Sequence, residues 1–358
     1  MWRGEGARSS LGGAACVRSR VAELLANHTT LRVGGPVADF VVATTEAELV
    51  SAVRDADDRG KPVLVLGGGS NLLVSDSGFD GRVVAVRTAG VQSDADACGG
   101  AVARVAAGEV WDGFVARAVD QGWIGVEALA GIPGLVGATP IQNVGAYGQE
   151  VSQTIASVRC WDRQAGEVRT LFARDCRFGY RTSRLKQEPD RWVVLEVVFQ
   201  LRLGDLSAPI AYAELARRLD VEVGDRVTLA DVREAVLELR RGKGMVLDEV
   251  DHDTWSAGSF FTNPVLAPTE VPDGAPAWPQ PDGRVKTSAA WLIEHAGFER
   301  GHGNDRAALS GKHTLALTNR GGATATDLVT LAREVRDGVR ERFGIDLVNE
   351  PVLVGCSL

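Results

Sequence analysis

The spacing of apolar and polar positions predicts alternating helices and strands near the start of the chain. It predicts a helix at 17–26, a strand at 37–43, a helix from 46 and a strand at 62–66. Thr45 and Glu48 stand three residues apart at the start of the second helix, which is the spacing of a capping box. This part of the chain therefore predicts a β-α-β unit.

The pattern changes further along the chain. Short β-rich runs at 82–107 and 155–203 flank a helical pattern at 110–121. Longer patterns then predict helices at 228–242, 285–298 and 324–344, with a strand at 313–318. The segment 264–284 contains six prolines, which predicts a loop or connector. Together these elements predict an α+β protein.

Residues 128–149 carry no charge over 22 positions. That length alone would suit a membrane-spanning segment. However, its five glycines, its two prolines, Gln142 and Asn143 would leave polar groups unsatisfied in lipid. We therefore expect irregular backbone that is buried in protein or lines a cavity, and no membrane partner.

Composition and charge narrow the class of protein. The 358 residues predict two or three domains, and a net charge of −8 argues against nucleic acid as a partner. Five scattered cysteines without a CxxC pair favour a reducing cytoplasm, so we expect a cytoplasmic protein. The five histidines show no metal-binding spacing, and we predict no metal site. Residues 1–17 lack the apolar run of a signal peptide and predict a disordered extension.

Glycine is over-represented, with 42 residues among 358. One group, Gly67 to Gly69, follows the predicted strand at 62–66 and precedes Ser70 and Asn71. Glycines let backbone N–H groups approach an anion closely, which suits a pyrophosphate. The segment is neither a P-loop nor a GxGxxG fingerprint, and a tight turn between two strands is the alternative.

A second group of glycines lies within 131–148. Three of them recur at intervals of three residues, which removes side chains from one wall of a cavity and suits a flat ring system. Structural packing of a glycine-rich loop is the alternative.

Two further segments carry candidate chemistry. Residues 177–186 hold four cations, which suit a carboxylate or diphosphate ligand, or form a solvated basic face. Residues 255–264 place Ser259 beside two phenylalanines and Asn263. No GxSxG elbow is present, so the segment does not support hydrolase chemistry, and a structural turn is the alternative.

In this order, the four segments closely resemble the UDP-N-acetylenolpyruvoylglucosamine reductase family, from residues 27–35 to residues 350–355. The resemblance implies an FAD-binding domain of the vanillyl-alcohol-oxidase (PCMH) type in two subdomains, plus a smaller C-terminal α/β substrate-binding domain. We expect the first subdomain at 18–89, with a strand from 345–358 returning to it. The second subdomain is expected at 90–244 and the substrate-binding domain at 245–344.

The resemblance also implies an NADPH-dependent FAD reductase that converts UDP-N-acetylglucosamine enolpyruvate to UDP-N-acetylmuramate for peptidoglycan. FAD would be bound non-covalently, and NADPH would be a co-substrate. A hydride would pass from flavin N5 to the enolpyruvyl carbon, and Ser259 would supply the proton. Arg181 and Glu350 would flank the carboxylate and the enolate, and Glu350 would orient or relay the proton. A monomer is expected.

The resemblance assigns further residues by position. The cofactor-binding positions are Gly67, Gly68, Gly69, Ser70, Asn71, Leu72, Gly131, Ile132, Gly134, Gly137, Ala138, Thr139, Ile141, Asn143 and Gly145. The substrate-binding positions are Tyr147, Tyr212, Lys243, Asn263 and His313. Lys243 and Tyr212 are expected at the diphosphate, and Tyr212 marks the subclass that closes a tyrosine-bearing loop over the substrate.

Two positions depart from the family pattern. His313 stands where some members have glutamine, and Pro351 follows Glu350 where others have Val-Arg. A proline at position 351 can shift the backbone of Glu350 from the position that the family pattern implies.

Two other functions stay open at this point. One is an FAD oxidase of the same superfamily that acts on an alcohol or hydroxy acid. Such enzymes often tether the flavin through His or Cys, and neither glycine segment contains one. The other is a non-catalytic flavin or sugar-nucleotide binding module, against which the joint presence of Arg181, Ser259 and Glu350 argues.

Overall fold

The computed structural model describes residues 23–358, in which helices and sheets are mixed as the sequence predicts for an α+β protein. The strands are β1 (Glu23–Leu24), β2 (Pro36–Val37), β3 (Asp39–Ala43), β4 (Val63–Leu66), β5 (Leu72–Val74), β6 (Arg82–Val86), β7 (Val91–Asp96), β8 (Gly100–Ala106), β9 (Trp123–Ile124), β10 (Gly145–Ala146), β11 (Gln149–Glu150), β12 (Ile155–Asp162), β13 (Glu167–Phe172), β14 (Trp192–Leu203), β15 (Val265–Leu266), β16 (Ala277–Pro279), β17 (Val285–Thr287), β18 (Ala307–Leu309), β19 (Leu317–Asn319) and β20 (Val352–Val354). The α-helices are α1 (Glu46–Asp58), α2 (Trp111–Asp120), α3 (Arg184–Gln187), α4 (Ala213–Leu219), α5 (Leu229–Gly242), α6 (Ala289–His295) and α7 (Ala325–Phe343).

The first part of the fold is a small parallel sheet in the order β3-β6-β4, covered by α1. The predicted capping box is confirmed, since Thr45 Oγ1 accepts from the Glu48 backbone N–H while Glu48 accepts from the Thr45 N–H. A separate parallel pair joins β5 to β20, so the end of the chain lies beside the strand that follows the first glycine segment.

The second part is an antiparallel sheet in the order β13-β12-β14-β8-β7, with β9 paired to the end of β14. The long strand β14 lies at its centre, and its buried valines pack in the largest apolar core together with α2 and α5. Trp111 and Phe199 belong to this core, and their ring centroids are 6.0 Å apart. This sheet supports one wall of the cleft described below.

The last part combines the sheet β15-β17-β16, the hairpin of β18 and β19, and the helices α6 and α7. Its core contains Phe260, Phe261, Leu292 and Leu328, all at most 1% exposed. Leu73 of β5 also belongs to this core, which therefore joins the last part to the first.

Three predicted elements differ from the structure. The predicted helix at 17–26 is wrong over its described part, where residues 23–24 pair with β2 and Leu25–His28 form a 3₁₀ turn. The rest of that predicted helix and the predicted extension 1–17 lie outside the described residues. The pattern at 285–298 begins as β17, because its first residues pair with β15 and β16. The strand at 313–318 is displaced to Leu317–Asn319, because the Ser310 hydroxyl oxygen accepts from the Lys312 and His313 N–H groups and holds a turn there.

The uncharged segment 128–149 is mostly irregular, as expected, with short 3₁₀ turns at Glu127–Leu129 and Val136–Ala138 and the two-residue strand β10 near its end. The proline-rich segment 264–284 is mostly loop but contributes the short strands β15 and β16. Within residues 23–358, none of the helices is long and apolar enough to cross a membrane.

Candidate active site

A cleft of about 1100 Å³ runs between the parts of the fold. Small-molecule sites usually have volumes of roughly 300–1,000 Å³. The cleft therefore has room for a ligand larger than a typical metabolite, or for two ligands in contact. Both glycine-rich segments contribute to its walls.

The first glycine segment is the turn between β4 and β5. Among the backbone hydrogen bonds of the described residues, none is donated by the N–H groups of Gly68, Gly69 or Ser70. Gly69 has a φ of +63°, and a Cβ there would lie 1.8 Å from the His28 carbonyl oxygen. A glycine is therefore required to make this turn, and its free N–H groups suit an anionic oxygen ligand such as a pyrophosphate.

The two glycine segments touch each other at Gly68 and Gly134. A Cβ built on Gly68 would lie 2.7 Å from the Cα of Gly134. The Ser70 hydroxyl also donates to the Pro133 carbonyl oxygen at 3.0 Å. The absence of side chains therefore brings a donor-rich turn and an apolar wall together, and this arrangement fits a flavin dinucleotide.

Replacing Gly68 with alanine should lower the affinity for FAD. The new methyl group would push the two glycine segments apart, and such overpacking costs about 1–3 kcal/mol. The check is the flavin absorbance per protein chain after purification and dialysis. Gly322→Ala is the matched control, because a Cβ there meets nothing within 4 Å. Equal flavin content in both variants would contradict the expectation.

Most residues predicted to contact the cofactor line this cleft. They are Gly67, Gly68, Gly69, Ser70, Asn71, Leu72, Ile132, Gly137, Ala138, Thr139, Ile141 and Gly145. The other three are placed differently. A Cβ on Gly131 would meet Leu237 of α5, and Gly134 packs on Gly68. Both glycines thus pack against protein, as the loop-packing alternative for this segment describes.

Asn143 is the third residue outside the cleft wall. It is 1% exposed, and its amide donates to Glu150 Oε2 at 2.7 Å and to the Gly179 carbonyl at 3.1 Å. Its own Oδ1 accepts from the Ser152 N–H at 3.1 Å. Its side chain therefore ties the segment before β10 to β11 and to the loop at 177–183, instead of lining the ligand space.

Backbone pairing brings together two of the residues predicted to be catalytic. The Glu350 N–H donates to the Phe260 carbonyl at 2.8 Å, and Phe261 forms an antiparallel bridge with Asn349. Phe260 and Phe261 are buried, so they anchor the segment that begins at Ser259. Ser259 consequently stands next to Glu350 at the cleft, although 91 positions separate them in the sequence.

Arg181 reaches the same place from a third segment. Its Nε lies 3.4 Å from Glu350 Oε1, and its Nη2 donates to the Gly145 carbonyl at 2.7 Å. The Glu350 side chain is only 15% exposed, and burial raises its pKa. The charges of Arg181 and Lys186 act in the opposite direction on that pKa. The site thus pairs a fixed cation with a carboxyl group that is protonated more readily than usual.

Two site residues hold a left-handed backbone conformation. Tyr147 has a φ of +48° and Arg181 a φ of +53°. For a residue with a bulky side chain, such a conformation costs on the order of 1–3 kcal/mol and is often found at functional sites. Both side chains line the cleft, and burial raises the pKa of Tyr147 to about 12.

The residues expected at the diphosphate also meet in the cleft. Tyr212 and Tyr147 pack edge to face with ring centroids 5.6 Å apart, and Lys243 Nζ lies 5.5 Å from the Tyr147 ring centroid. Lys243 also forms an ion pair of 2.6 Å with Glu214, which lies two residues after Tyr212 at the start of α4. An incoming anion would therefore compete with Glu214 for Lys243.

Asn263 and His313 line the cleft as well. The Asn263 Oδ1 accepts from the Ala289 N–H at the start of α6, at 2.9 Å, which leaves its amide N–H groups for a ligand. Burial lowers the pKa of His313 to about 4, with a further contribution from the charge of Lys243. His313 is therefore neutral at physiological pH.

Replacing His313 with glutamine should make the folded protein more tolerant of acid. Because the folded-state pKa lies below that of an unfolded histidine, unfolding binds a proton, and stability falls as the pH drops from about 6.5 to about 4. That loss is on the order of 3 kcal/mol or less, and glutamine does not titrate. The measurement is the free energy of unfolding over this range without nucleotide. Parallel profiles for the two proteins would contradict the assignment.

The structure adds site residues that the sequence alone did not assign. The cleft is also lined by Gln142, Tyr180, Lys186, Arg240 and Lys286. Lys186 belonged to the predicted basic cluster, and its Nζ donates to the Arg181 carbonyl at 3.3 Å. Of the other three cations, Arg181 also lines the cleft, whereas Arg184 pairs with Glu188 and Arg177 is exposed. The basic cluster is thus partly a ligand wall and partly a solvated face.

Two protein-family models match the chain. The model of the UDP-N-acetylenolpyruvoylglucosamine reductase C-terminal domain matches residues 248–354, and that of an FAD binding domain matches residues 37–171. The UDP-N-acetylenolpyruvoylglucosamine reductase of Cutibacterium acnes is 62% identical over 93% of this chain and 90% of its own. The chain belongs to the UDP-N-acetylenolpyruvoylglucosamine reductase family. It is therefore an oxidoreductase.

Other members of the reductase family support the same assignment. The enzyme of Streptomyces coelicolor is 58% identical over 93% of this chain and 90% of its own. The crystal structure of the UDP-N-acetylenolpyruvylglucosamine reductase from Thermus caldophilus is 27% identical, with a TM-score of 0.64 over 93% of this chain and 97% of that one. The predicted fold class, an FAD-binding part followed by a C-terminal part, is thereby confirmed.

Within residues 23–358, no group of three or more His, Cys, Asp or Glu side chains is arranged to hold a metal ion. Of the four cysteines described, Cys160 and Cys176 are buried, and burial raises the pKa of each thiol. Neither lies in the cleft wall.

Proposed function

We propose that the protein reduces the enolpyruvyl group of UDP-N-acetylglucosamine enolpyruvate to give UDP-N-acetylmuramate for peptidoglycan, with NADPH as reductant. The observation that carries the proposal is the meeting of Ser259, Arg181 and Glu350 at the cleft that both glycine segments line. A proton donor, a fixed cation and a carboxyl group are the groups that this reaction requires.

The proposal assigns the cleft walls to different ligands. FAD would be held without a covalent bond by the turn from Gly67 to Leu72 and by the wall from Ile132 to Gly145, and when bound it supplies the hydride that NADPH delivers. The sugar nucleotide would bind beside that wall, with its diphosphate at Lys243 and Tyr212. The volume of the cleft, about 1100 Å³, supports this division.

The reaction places negative charge on the carbon next to the substrate carboxylate. Arg181 is positioned to stabilise this charge, because its guanidinium is held by the Gly145 carbonyl and always carries a proton. Ser259 would give its hydroxyl proton to that carbon. Glu350 lies beside both residues and would complete the electrostatic surroundings of the enolate. Tyr147, Asn263 and His313 would position the rest of the substrate.

The experiment is to follow the flavin absorbance of the purified protein in the absence of oxygen. NADPH should bleach the yellow flavin, and the enolpyruvyl nucleotide should then restore the colour. Bleaching without recovery by the nucleotide would overturn the proposed substrate. Rapid recovery in air with no response to the nucleotide would instead favour the oxidase alternative, and a colourless protein would contradict the use of FAD.

A further inference from the structure

The carboxyl group of Glu350 is held by a chain of two amide side chains. Gln142 Nε2 donates to Glu350 Oε1 at 3.1 Å, and Gln142 Oε1 accepts from Asn71 Nδ2 at 2.8 Å. Asn71 Nδ2 also lies 3.4 Å from the Glu350 carbonyl oxygen. These hydrogen bonds therefore connect the first glycine turn, the second glycine segment and the C-terminal segment.

The donor and acceptor roles of the two amide side chains are fixed by their partners. An amide presents one acceptor and one donor group, and Asn71 uses its donor on Gln142. The Gln142 oxygen is thereby occupied, so its N–H groups must point to Glu350. Arg181 Nε also faces Glu350 Oε1, at 3.4 Å. Oε1 thus faces an N–H donor and a cation, whereas Oε2 has no hydrogen-bond partner among the described residues.

We propose that Gln142 is a positioning residue that orients the Glu350 carboxyl group and keeps the proton of its neutral form on Oε2. An oxygen that accepts from one N–H donor beside a guanidinium is a poor place for a proton. Oε2 is then the oxygen that presents an O–H to the ligand space beside Ser259 and Arg181. This inference rests on the proposed function, since it concerns the half-reaction with the enolpyruvyl nucleotide.

Three charged or titratable side chains surround the Glu350 carboxyl group. Arg181 and Lys186 both lower the pKa of Glu350, and Tyr180 is close enough for the carboxylate charge to affect the pKa of its hydroxyl. Burial outweighs the two cations and raises the pKa of Glu350. Gln142 is the neutral side chain that hydrogen-bonds to this carboxyl group, so a neutral substitution there tests orientation without changing the net charge.

The test is Gln142→Met, which keeps the approximate length and removes both hydrogen bonds. In flavin-loaded protein, the rate of flavin reduction by NADPH should change much less than the rate of reoxidation by the enolpyruvyl nucleotide. The rate of reoxidation by the enolpyruvyl nucleotide should fall roughly tenfold to a hundredfold, as expected for a misplaced catalytic group. Gln187→Met is the matched control, because Gln187 is exposed on α3, and it should leave both rates unchanged.

The pH dependence separates positioning from a structural role. The Gln142 hydrogen bond lowers the pKa of Glu350, so its removal should move the limb of the reoxidation profile that follows Glu350 to higher pH. Gln142→Glu should restore reoxidation only at acidic pH, where the introduced carboxyl group is protonated and can donate to Oε1. At higher pH the two carboxylates would repel each other, and the rate should fall.

A readout independent of activity is the stability of the holoenzyme without nucleotide. Because the folded-state pKa of Glu350 is raised, its contribution to stability is present at acidic pH and is lost as the pH rises through that pKa. Gln142→Met should make this loss larger. Unchanged reoxidation, an unmoved limb or an unaltered stability profile in a flavin-loaded variant would overturn the inference. If the wild-type flavin is not reoxidised by the nucleotide, the proposed function fails instead.

Discussion

Replacing Ser259 with alanine should nearly abolish the oxidation of the reduced flavin by the enolpyruvyl nucleotide. Loss of a positioned acid typically costs a factor of about 10²–10⁴ in rate. Reduction by NADPH needs no proton from this side chain, so the bleaching of the flavin should proceed at the wild-type rate. The measurement is the rate of each half-reaction by rapid mixing in the absence of oxygen.

The structure makes this variant easy to interpret. Ser259 lies in a turn whose position is set by the buried rings of Phe260 and Phe261 and by the Glu350 backbone, and none of these contacts uses the serine hydroxyl. Ser51→Ala, at an exposed position of α1, is the matched control and should leave both half-reactions unchanged. A Ser259→Ala variant that is reoxidised at the wild-type rate would exclude Ser259 as the proton donor.

Replacing Arg181 with methionine should have the second largest effect, again on reoxidation by the enolpyruvyl nucleotide. Removing one donor that stabilises developing negative charge costs a factor of about 10²–10³. In addition, Glu350 would lose its cation partner at 3.4 Å, and its pKa should rise further. The decrease should therefore appear in kcat and in the affinity for the nucleotide, and the pH profile should move upward.

Two further variants test whether the effect belongs to this guanidinium. Arg181→Lys keeps the charge but cannot hold the Gly145 carbonyl and face Glu350 in the same way, so it should recover only part of the rate. Arg174→Met removes the charge of a side chain that is 85% exposed, and it should leave the rate of reoxidation unchanged. Equal losses in the variants at positions 181 and 174 would show that net charge alone matters.

The sequence predicted the local parts of the site well. Glycines that follow a buried strand, and glycines spaced within an uncharged segment, indicate close approach of backbone to a ligand, and both segments line the cleft. The exceptions have a physical reason. Gly131 packs on α5 and Gly134 on Gly68, and a residue type does not reveal whether its free space is filled by ligand or by protein.

Hydrogen-bond networks across distant segments were beyond sequence reasoning. In the sequence, Gln142 served only as evidence against a membrane span. In the structure it hydrogen-bonds to Asn71, 71 positions away, and to Glu350, 208 positions away. Likewise, the partner of Lys243 is Glu214, and nothing in either local pattern joins them. Such contacts depend on where loops end in space, which periodicity does not encode.

The amino-acid sequence by itself determined the alternation of elements, the α+β class, the two glycine segments and the residue types available for the reaction, because propensity, capping and backbone freedom act over a few neighbouring residues. The tertiary structure alone decided which of those residues meet. The pairing of residues 260–262 with 348–350 sets Ser259 beside Glu350, and the left-handed backbone of Arg181 brings a cation to the same carboxyl group. These contacts arise from the packing of buried phenylalanines and strands far apart in the chain, and only the folded protein brings those together.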